Sequence, residues 1–377
     1  MNGRNRNKPC HCGSGQKYKK KCHILIEQHL ESGQVKKLEI HELQKIFNET
    51  LYKEICVASD LNTSKQCTAK IINAHTLTKS LSLEKIATNG HVYAFKNKDL
   101  FSFFKGNGVI TLKKIGIRTA STFKGFCSYH DDYLFSSIEK ENFELSEKQV
   151  LALFYRSFAL EYYKKKSIVD NARKSFEPLL KNFNLYNIDH GSKTLIANLK
   201  RAKLDFEDMI RINDEIKRFW NIKNKTNIQT YALKVANGIP FVCTGLFAIY
   251  KDIKGNIIQD IYDYDLPNLE YMSLNIFYSK DGAGWLVLNW LKEKNSINEL
   301  FVEQLKEFSI EEQINILGNL MILYTENAYF SVDYVDNMDV HKKENIEQTF
   351  NNTLRGIFDS LTKDSFEIKI EKAEVKF

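Results

Sequence analysis

The first 23 residues hold a cluster of metal-binding side chains, and this cluster constrains the chain more than any other feature of its sequence. Cys10 and Cys12 flank a single residue, and Cys22 and His23 follow after a Gly-Ser-Gly turn and a lysine-rich stretch. Three thiolates and one imidazole form a Cys3His set, the kind of donor set that holds tetrahedral zinc. A peptide this short cannot build a hydrophobic core, so we expect metal binding to supply its folding energy.

The same N-terminal segment carries the excess positive charge of the protein. The chain has 54 Lys and Arg residues against 47 Asp and Glu residues, a formal net charge of +7. The segment holds no acid and contains the basic residues Arg4, Arg6, Lys8, Lys17, Lys19, Lys20 and Lys21. A cationic head on a neutral body favours a polyanion or an acidic protein surface as its partner, and a solubilising tail is the alternative.

This head resembles the SEC-C motif, the zinc-binding tail of the preprotein translocase SecA that also occurs on many unrelated bacterial proteins. The residues that carry the resemblance are Pro9-Cys10-His11-Cys12-Gly13-Ser14-Gly15, Lys17-Tyr18-Lys19 and Cys22-His23. The resemblance implies that zinc is bound by Cys10, Cys12, Cys22 and His23. It also implies a docking module for a protein or a nucleic acid, without catalysis of its own.

Four residues further along form a second candidate zinc site. Cys56 and Cys67 bracket a polar loop, and Cys127 and His130 have the C-x-x-H spacing of a zinc knuckle that opens a helix. Together they predict a Cys3His site that staples a hairpin to a helix, which is the plan of a treble-clef finger. For Cys56 and Cys67 the alternative is that both are unpaired core residues. The remaining cysteine, Cys243, lies in an apolar run and is predicted to be buried.

Residues 56–139 resemble an HNH-like family of bacterial endonucleases that contain a zinc-stapled treble clef. The matching residues are Ala74-His75-Thr76, Ser80-Leu81, Ile86-Ala87, Gly90-His91-Val92, Ala120-Ser121-Thr122-Phe123, Gly125-Phe126-Cys127, His130-Asp131 and Leu134-Phe135. The alternating pattern before Leu77 predicts a strand that carries His75. The resemblance implies that His75 is the general base that deprotonates the attacking water. It also implies that Asp131 binds a catalytic Mg²⁺ or Mn²⁺, and that His91 takes a metal or a phosphate.

Each of these three residues has an alternative role. His75 could be a structural histidine or a zinc ligand, and His91 could be structural. Asp131 could cap the start of a helix, where a carboxylate is favourable in any case. Asp132 is a neighbouring candidate for the metal role.

Two other segments have patterns with more than one interpretation. Residues 96–118 interleave lysines with three phenylalanines, which suits nucleic acid or, alternatively, a solvated insertion whose phenylalanines are core. Residues 195–220 repeat apolar positions at alternating spacings of four and three, with Asn213 as the polar position. This seam predicts either a helical hairpin within the chain or a homodimer interface.

Taken together, these patterns predict an α+β fold in four parts. A SEC-C zinc knuckle covers residues 1–24, and an HNH-like treble-clef zinc domain covers residues 25–144. A helical, coiled-coil-like segment follows over residues 145–225, where Ser146 and Gln149 form a capping box. Residues 226–377 form an α+β domain with a mainly antiparallel sheet, in which Asp281–Gly284 joins two strands.

The composition and the motifs predict a cytoplasmic protein that contains two structural zincs and binds nucleic acid, DNA rather than RNA. The predicted activity is metal-dependent cleavage of phosphodiesters by an HNH-like site. By analogy with multi-zinc HNH-like proteins, the process would be anti-phage defence. The alternative is a non-enzymatic zinc module that docks to nucleic acid or, through the SEC-C head, to a protein partner.

Overall fold

The computed structural model describes Lys17 and most of the chain from residue 54 onward. The described ranges are 54–61, 63, 65–68, 70–96, 109–182, 190–222, 227–236, 238–263, 268–293, 296–358, 366 and 373–376, with the backbone alone for 171–182, 190–200, 221, 222, 373 and 376. The predicted zinc ligands Cys10, Cys12, Cys22 and His23 lie outside these residues, as does most of the lysine- and phenylalanine-rich segment 96–118.

Strands within the described part are short and occur along most of its length. They are β1 (Ile71–His75), β2 (His91–Phe95), β3 (Leu112–Gly116), β4 (Thr122–Cys127), β5 (Ile228–Val235), β6 (Phe241–Phe247), β7 (Met272–Tyr278), β8 (Gly284–Leu291), β9 (Ala328–Phe330) and β10 (Ala373–Lys376). The helices are α1 (Glu84–Ile86, after a π-helical turn at Lys79–Leu83), α2 (Ser128–Glu139), α3 (Glu147–Asn182), α4 (His190–Ile222), α5 (Ile297–Lys306), α6 (Ile310–Tyr324), α7 (Val332–Asp336) and α8 (Val340–Leu354). No helix among the described residues combines the length and the apolar character needed to cross a bilayer.

The strands form one large and one small antiparallel sheet, and this confirms the predicted α+β class. The large sheet has the order β10-β5-β8-β7-β6-β9-β2-β3, and β1 pairs with β4 in the small one. β2 and β3 come from the segment that the sequence assigned to a separate zinc domain, so the large sheet joins two predicted parts. The predicted division into four domains stays a prediction.

Alternating side chains explain why one face of the large sheet forms the main core. In β8, Leu286, Leu288 and Trp290 point into a cluster with side chains from α5 and α6, and the equivalent positions of β5 and β7 join them. The hairpin between β7 and β8 turns at Gly282, whose φ of +84° is a conformation that favours glycine. The predicted hairpin is therefore present, because the glycine at its turn and the alternating side chains of its strands both favour it.

The opposite face of the sheet carries a buried polar contact with α3. The Asn275 side-chain oxygen accepts hydrogen bonds from Ser157 Oγ at 3.0 Å and from Thr244 Oγ1 at 2.7 Å. All three residues are at most 2 % exposed. Buried polar groups need such partners, so this contact fixes where the N-terminal half of α3 lies on the sheet.

The chain contacts divide into two compact units, one of which includes Tyr162–Arg211 from α3 and α4. Within this unit the Tyr162 and Phe206 rings lie 5.5 Å apart, and Lys165 Nζ lies 2.8 Å from an Asp205 oxygen. α3 and α4 thus contact each other within one chain, as the helical-hairpin interpretation predicts. The homodimer stays a prediction. The other unit comprises Ile55–Lys98, Ser102–Glu161 and Ile212–Phe377, and it contains both sheets.

Truncating a side chain at the centre of the large sheet tests this core. Leu288 is 0 % exposed, whereas Leu300 on α5 is 61 % exposed. We expect Leu288→Ala to lower the free energy of unfolding by about 2–5 kcal/mol, because it removes packed methyl groups and leaves a cavity. The matched Leu300→Ala should change it by no more than about 0.5 kcal/mol. Urea denaturation followed by circular dichroism measures both, and equal losses would contradict the core assignment.

Candidate metal centre

The candidate centre is built on the β1–β4 hairpin and on the helix that follows it directly. Ile71 pairs with Cys127 at one end of the hairpin and His75 pairs with Thr122 at the other. α2 begins at Ser128, the residue after Cys127. The predicted strand carrying His75 is therefore confirmed, and the C-x-x-H pair lies at the start of a helix, as predicted.

The segment around Cys56 lies alongside β4, and this explains how a distant cysteine reaches the helix. The backbone N–H of Ile55 donates to the Lys124 carbonyl at 3.2 Å, and that of Val57 donates to the Gly125 carbonyl at 2.9 Å. A β-carbon added at Gly125 would lie only 2.0 Å from the Phe123 ring. Glycine at this position therefore lets Phe123 fold back over the hairpin without a clash.

Four ligand atoms converge at the junction of the hairpin and the helix. They belong to Cys56, Cys67, Cys127 and His130, and all lie within 4.8 Å of one another. His130 Nδ1 is 3.2 Å from Cys56 Sγ and 3.3 Å from Cys127 Sγ. A tetrahedral zinc with Zn–S bonds of about 2.3 Å sets its ligand atoms about 3.8 Å apart, so this donor set fits zinc.

The hydrogen bonds of Thr63 show which nitrogen of His130 is available to a metal. The Thr63 hydroxyl donates its proton to the Lys65 carbonyl at 2.7 Å, and its oxygen lies 3.2 Å from His130 Nε2. Because a hydroxyl has one proton, Nε2 must be the donor in the second contact. Nδ1 then carries the lone pair that faces the sulfurs, as expected when a second partner orients a metal-binding histidine.

The thiols in this cluster differ in how readily they ionise. Burial raises the pKa of Cys56 to about 12, and the neighbouring thiols of Cys127 and Cys67 add to the effect. Burial also acts to raise the pKa of Cys127, but hydrogen bonds from the His130 backbone, Thr68 and Cys67 outweigh it and lower this pKa to about 7. A bound cation would favour the thiolate at every position, because coordination deprotonates thiols.

A second cluster of polar side chains lies on another face of α2, around the Arg156 side chain of α3. The guanidinium lies 4.1 Å above the centre of the Phe135 ring. Its Nη2 donates to Glu139, and its Nη1 donates to Thr78 Oγ1 at 3.4 Å. Asp131, Phe135 and Glu139 recur every four residues, so they share one face of the helix. Arg156 thus ties α3 to α2 and to the turn that follows β1.

Three buried polar atoms around this cluster have no hydrogen-bond partner among the described protein atoms. They are His75 Nδ1, Asp131 Oδ1 and Arg156 Nε. They come from a strand and two helices, and the charge of Arg156 acts on both His75 and Asp131. Unsatisfied buried groups are uncommon in folded proteins, and one explanation for them is a bound ion, water or ligand.

The surroundings of His75 and Asp131 disfavour the charged form of both groups. Burial lowers the pKa of His75 below its ordinary value of 6.5 and the charges of Arg156 and Lys79 lower it further, whereas the Ala120 carbonyl and Glu139 act in the opposite direction. Burial raises the pKa of Asp131 to about 6, against the opposing charge of Arg156. Both shifts follow from taking a charge out of water.

A polar network anchors the chain directly after His75. Thr76 Oγ1 accepts from the Asn327 side chain at 2.8 Å, and the backbone N–H of Leu77 donates to Ser121 Oγ at 2.8 Å. The N–H of Ser121, a residue with a φ of +59°, donates to Tyr329 OH at 2.6 Å. The strand end that carries His75 is therefore fixed to the large sheet through β9.

The other predicted residues lie elsewhere. His91 is exposed at the start of β2, and its Nδ1 lies 2.8 Å from the Asn89 carbonyl. Asp132 is exposed and pairs with Lys140. Cys243 is completely buried in the main core, as predicted. Sequence reasoning missed Arg156 and Glu139, although an arginine within the apolar helix residues 150–160 was a usable signal.

Comparisons with known proteins identify the N-terminal head. The SEC-C motif matches residues 6–23, which include Cys10, Cys12, Cys22 and His23. No curated protein and no solved structure matches the chain. The N-terminal resemblance is therefore confirmed as a SEC-C motif, and this motif together with the Cys3His cluster is compatible with zinc binding.

Replacing one ligand tests the centre at Cys56, Cys67, Cys127 and His130. We expect Cys127→Ser to lower the zinc content of the purified full-length protein by one equivalent, because a hydroxyl is a weak zinc ligand. The matched control is Cys243→Ala, which alters another completely buried cysteine and should leave the zinc content unchanged. Mass spectrometry of the metal content measures both. The same zinc content in Cys127→Ser and the wild type would contradict the site.

Proposed function

We propose that the protein is a metal-dependent, HNH-like endonuclease that cleaves phosphodiesters, with DNA as the favoured substrate. The observation that carries the proposal is the convergence of His75 and Asp131 on one cluster next to a Cys3His site. The strand–strand–helix arrangement of β1, β4 and α2, with ligands at the helix start, supports the resemblance inferred from residues 56–139. A role in anti-phage defence belongs to the same proposal.

His75 acts as the general base. It lies at the end of β1, where the network at Thr76 holds the strand in place. Nδ1 has no hydrogen-bond partner among the described residues, and in the tautomer that carries its proton on Nε2 this nitrogen has a lone pair. The lone pair on Nδ1 is therefore free to take a proton from an attacking water. The lowered pKa keeps the imidazole neutral near pH 7, as a base requires.

Asp131 binds the catalytic cation. Its Oδ1 is buried and has no hydrogen-bond partner among the residues described. Carboxylate oxygens are the ligands that Mg²⁺ and Mn²⁺ prefer. When bound, such a cation would stabilise the charge that develops on the phosphate and the leaving oxygen. The neighbouring His130 belongs to the Cys3His site, so a zinc there fixes the first turn of α2 and with it the position of Asp131.

A second candidate function is a non-enzymatic module that docks to nucleic acid or to a protein partner. The SEC-C match at residues 6–23 favours it, since the sequence of that segment combines a zinc-binding motif with several lysines. In this case the cluster around Arg156 would serve only to hold α2, α3 and β1 together.

Replacing His75 separates the two functions. We expect His75→Ala to lower plasmid nicking in Mg²⁺ or Mn²⁺ by about 100-fold or more, because the water loses its base. Zinc content and circular dichroism should stay unchanged. The matched control is His341→Ala on α8, because the His341 imidazole is 88 % exposed. This variant should nick DNA at the wild-type rate.

Two results would contradict the nuclease. One is full nicking activity in His75→Ala. The other is wild-type protein, loaded with zinc, that cleaves neither DNA nor RNA in either metal. The second result, combined with nucleic-acid binding that depends on residues 1–23, would favour the docking module.

A further inference from the structure

We propose that Arg156 is a phosphate-binding residue of the site. The Glu139 carboxylate pairs with the guanidinium until an anionic ligand displaces this carboxylate. This inference rests on the proposed function, because the phosphate would belong to the substrate. The ligand class is a phosphate group, free or within a phosphodiester.

Arg156 has the features of an arginine in a preformed anion-binding site and not those of a surface arginine. The residue is 3 % exposed as a whole, and stacking on Phe135 fixes the plane of the guanidinium. Nε has no hydrogen-bond partner in the part of the chain that the structure describes, although a guanidinium offers five donors in a rigid fork. Arginine binds phosphate through two parallel donors, and Nε together with Nη2 is such a pair once Glu139 leaves.

Glu139 is able to leave because it lies at the open side of the cluster. Its side chain is 27 % exposed, against 4 % for that of Arg156. Moving into water would cost the carboxylate little, whereas the buried guanidinium must keep an anionic partner. An incoming phosphate supplies that partner, so the exchange leaves no buried charge unpaired.

Two further groups on the turn after β1 favour an anion at this place. Thr78 already contacts Nη1 of Arg156. Lys79 is close enough to act on the pKa of His75, and its amine lies 3.8 Å from Glu84, a loose and partly exposed ion pair. A phosphate beside Arg156 would therefore lie near His75 and Asp131, where the attacking water and the cation act.

Phosphate binding without cleavage tests the inference in the full-length, zinc-loaded protein. The probe is inorganic phosphate, titrated by isothermal calorimetry without Mg²⁺ or Mn²⁺. We expect Arg156→Lys to weaken binding about tenfold, because an ammonium cannot form the two parallel bonds. We expect Glu139→Gln to tighten binding severalfold, because the competing carboxylate is gone. The matched control Arg201→Lys, an arginine paired with Asp205 on α4, should bind as the wild type does.

The Glu139→Gln result tests phosphate binding by Arg156 even if Arg156→Lys fails to fold. A purely structural ion pair predicts that Glu139→Gln binds phosphate no better than the wild type, and that result would overturn the inference. So would phosphate affinity that is the same in all variants, which would place the binding at the lysine-rich head. If the variants show the expected phosphate affinities but the protein cleaves no nucleic acid, the phosphate site is supported and the proposed nuclease function is overturned. Cleavage with unchanged phosphate binding would overturn the subsite alone.

Discussion

Much of the candidate site depends on the contact between His130 and the cysteine sulfurs at the start of α2. Cys56 reaches this point because its neighbours bond to the backbone of β4, and Cys127 reaches it because β4 ends there. Deprotonating all three thiols at these distances is costly without a cation, because thiolates repel one another. A zinc ion would offset that repulsion by binding the thiolates, and it would link a loop, a strand and a helix.

A second face of α2 carries different chemistry. The position of its residues depends on how the Cys3His cluster orients the start of the helix. Asp131 follows the ligand His130 directly, so the orientation of the first turn sets where this carboxylate points. Arg156 then links α2 to α3 and to the turn after His75. The candidate site is thus assembled from elements that one buried arginine holds together and that a metal at the Cys3His cluster would also hold. Rigid support of this kind is what positions catalytic groups.

Sequence reasoning recovered the parts of this arrangement that have local signals. The C-x-x-H spacing, the strand before His75 and the hairpin at Gly282 are each contained in a few neighbouring residues. It could not foresee that β2 pairs with β9, which places Tyr93 opposite Phe330. No local pattern encodes a register between residues so far apart. Arg156 was missed for a similar reason, because its partners Thr78 and Glu139 lie on other elements.

The group that the cluster at Cys56 and His130 binds decides whether the hairpin and α2 form a metal centre. Zinc-edge X-ray absorption tests this in the full-length protein with Cys10→Ser and Cys12→Ser, which remove two of the four predicted SEC-C ligands. We predict one zinc per chain, with three sulfur neighbours at about 2.3 Å and one nitrogen at about 2.0 Å. A coordination shell made only of oxygen and nitrogen, or protein that retains no zinc while folded, would contradict the account.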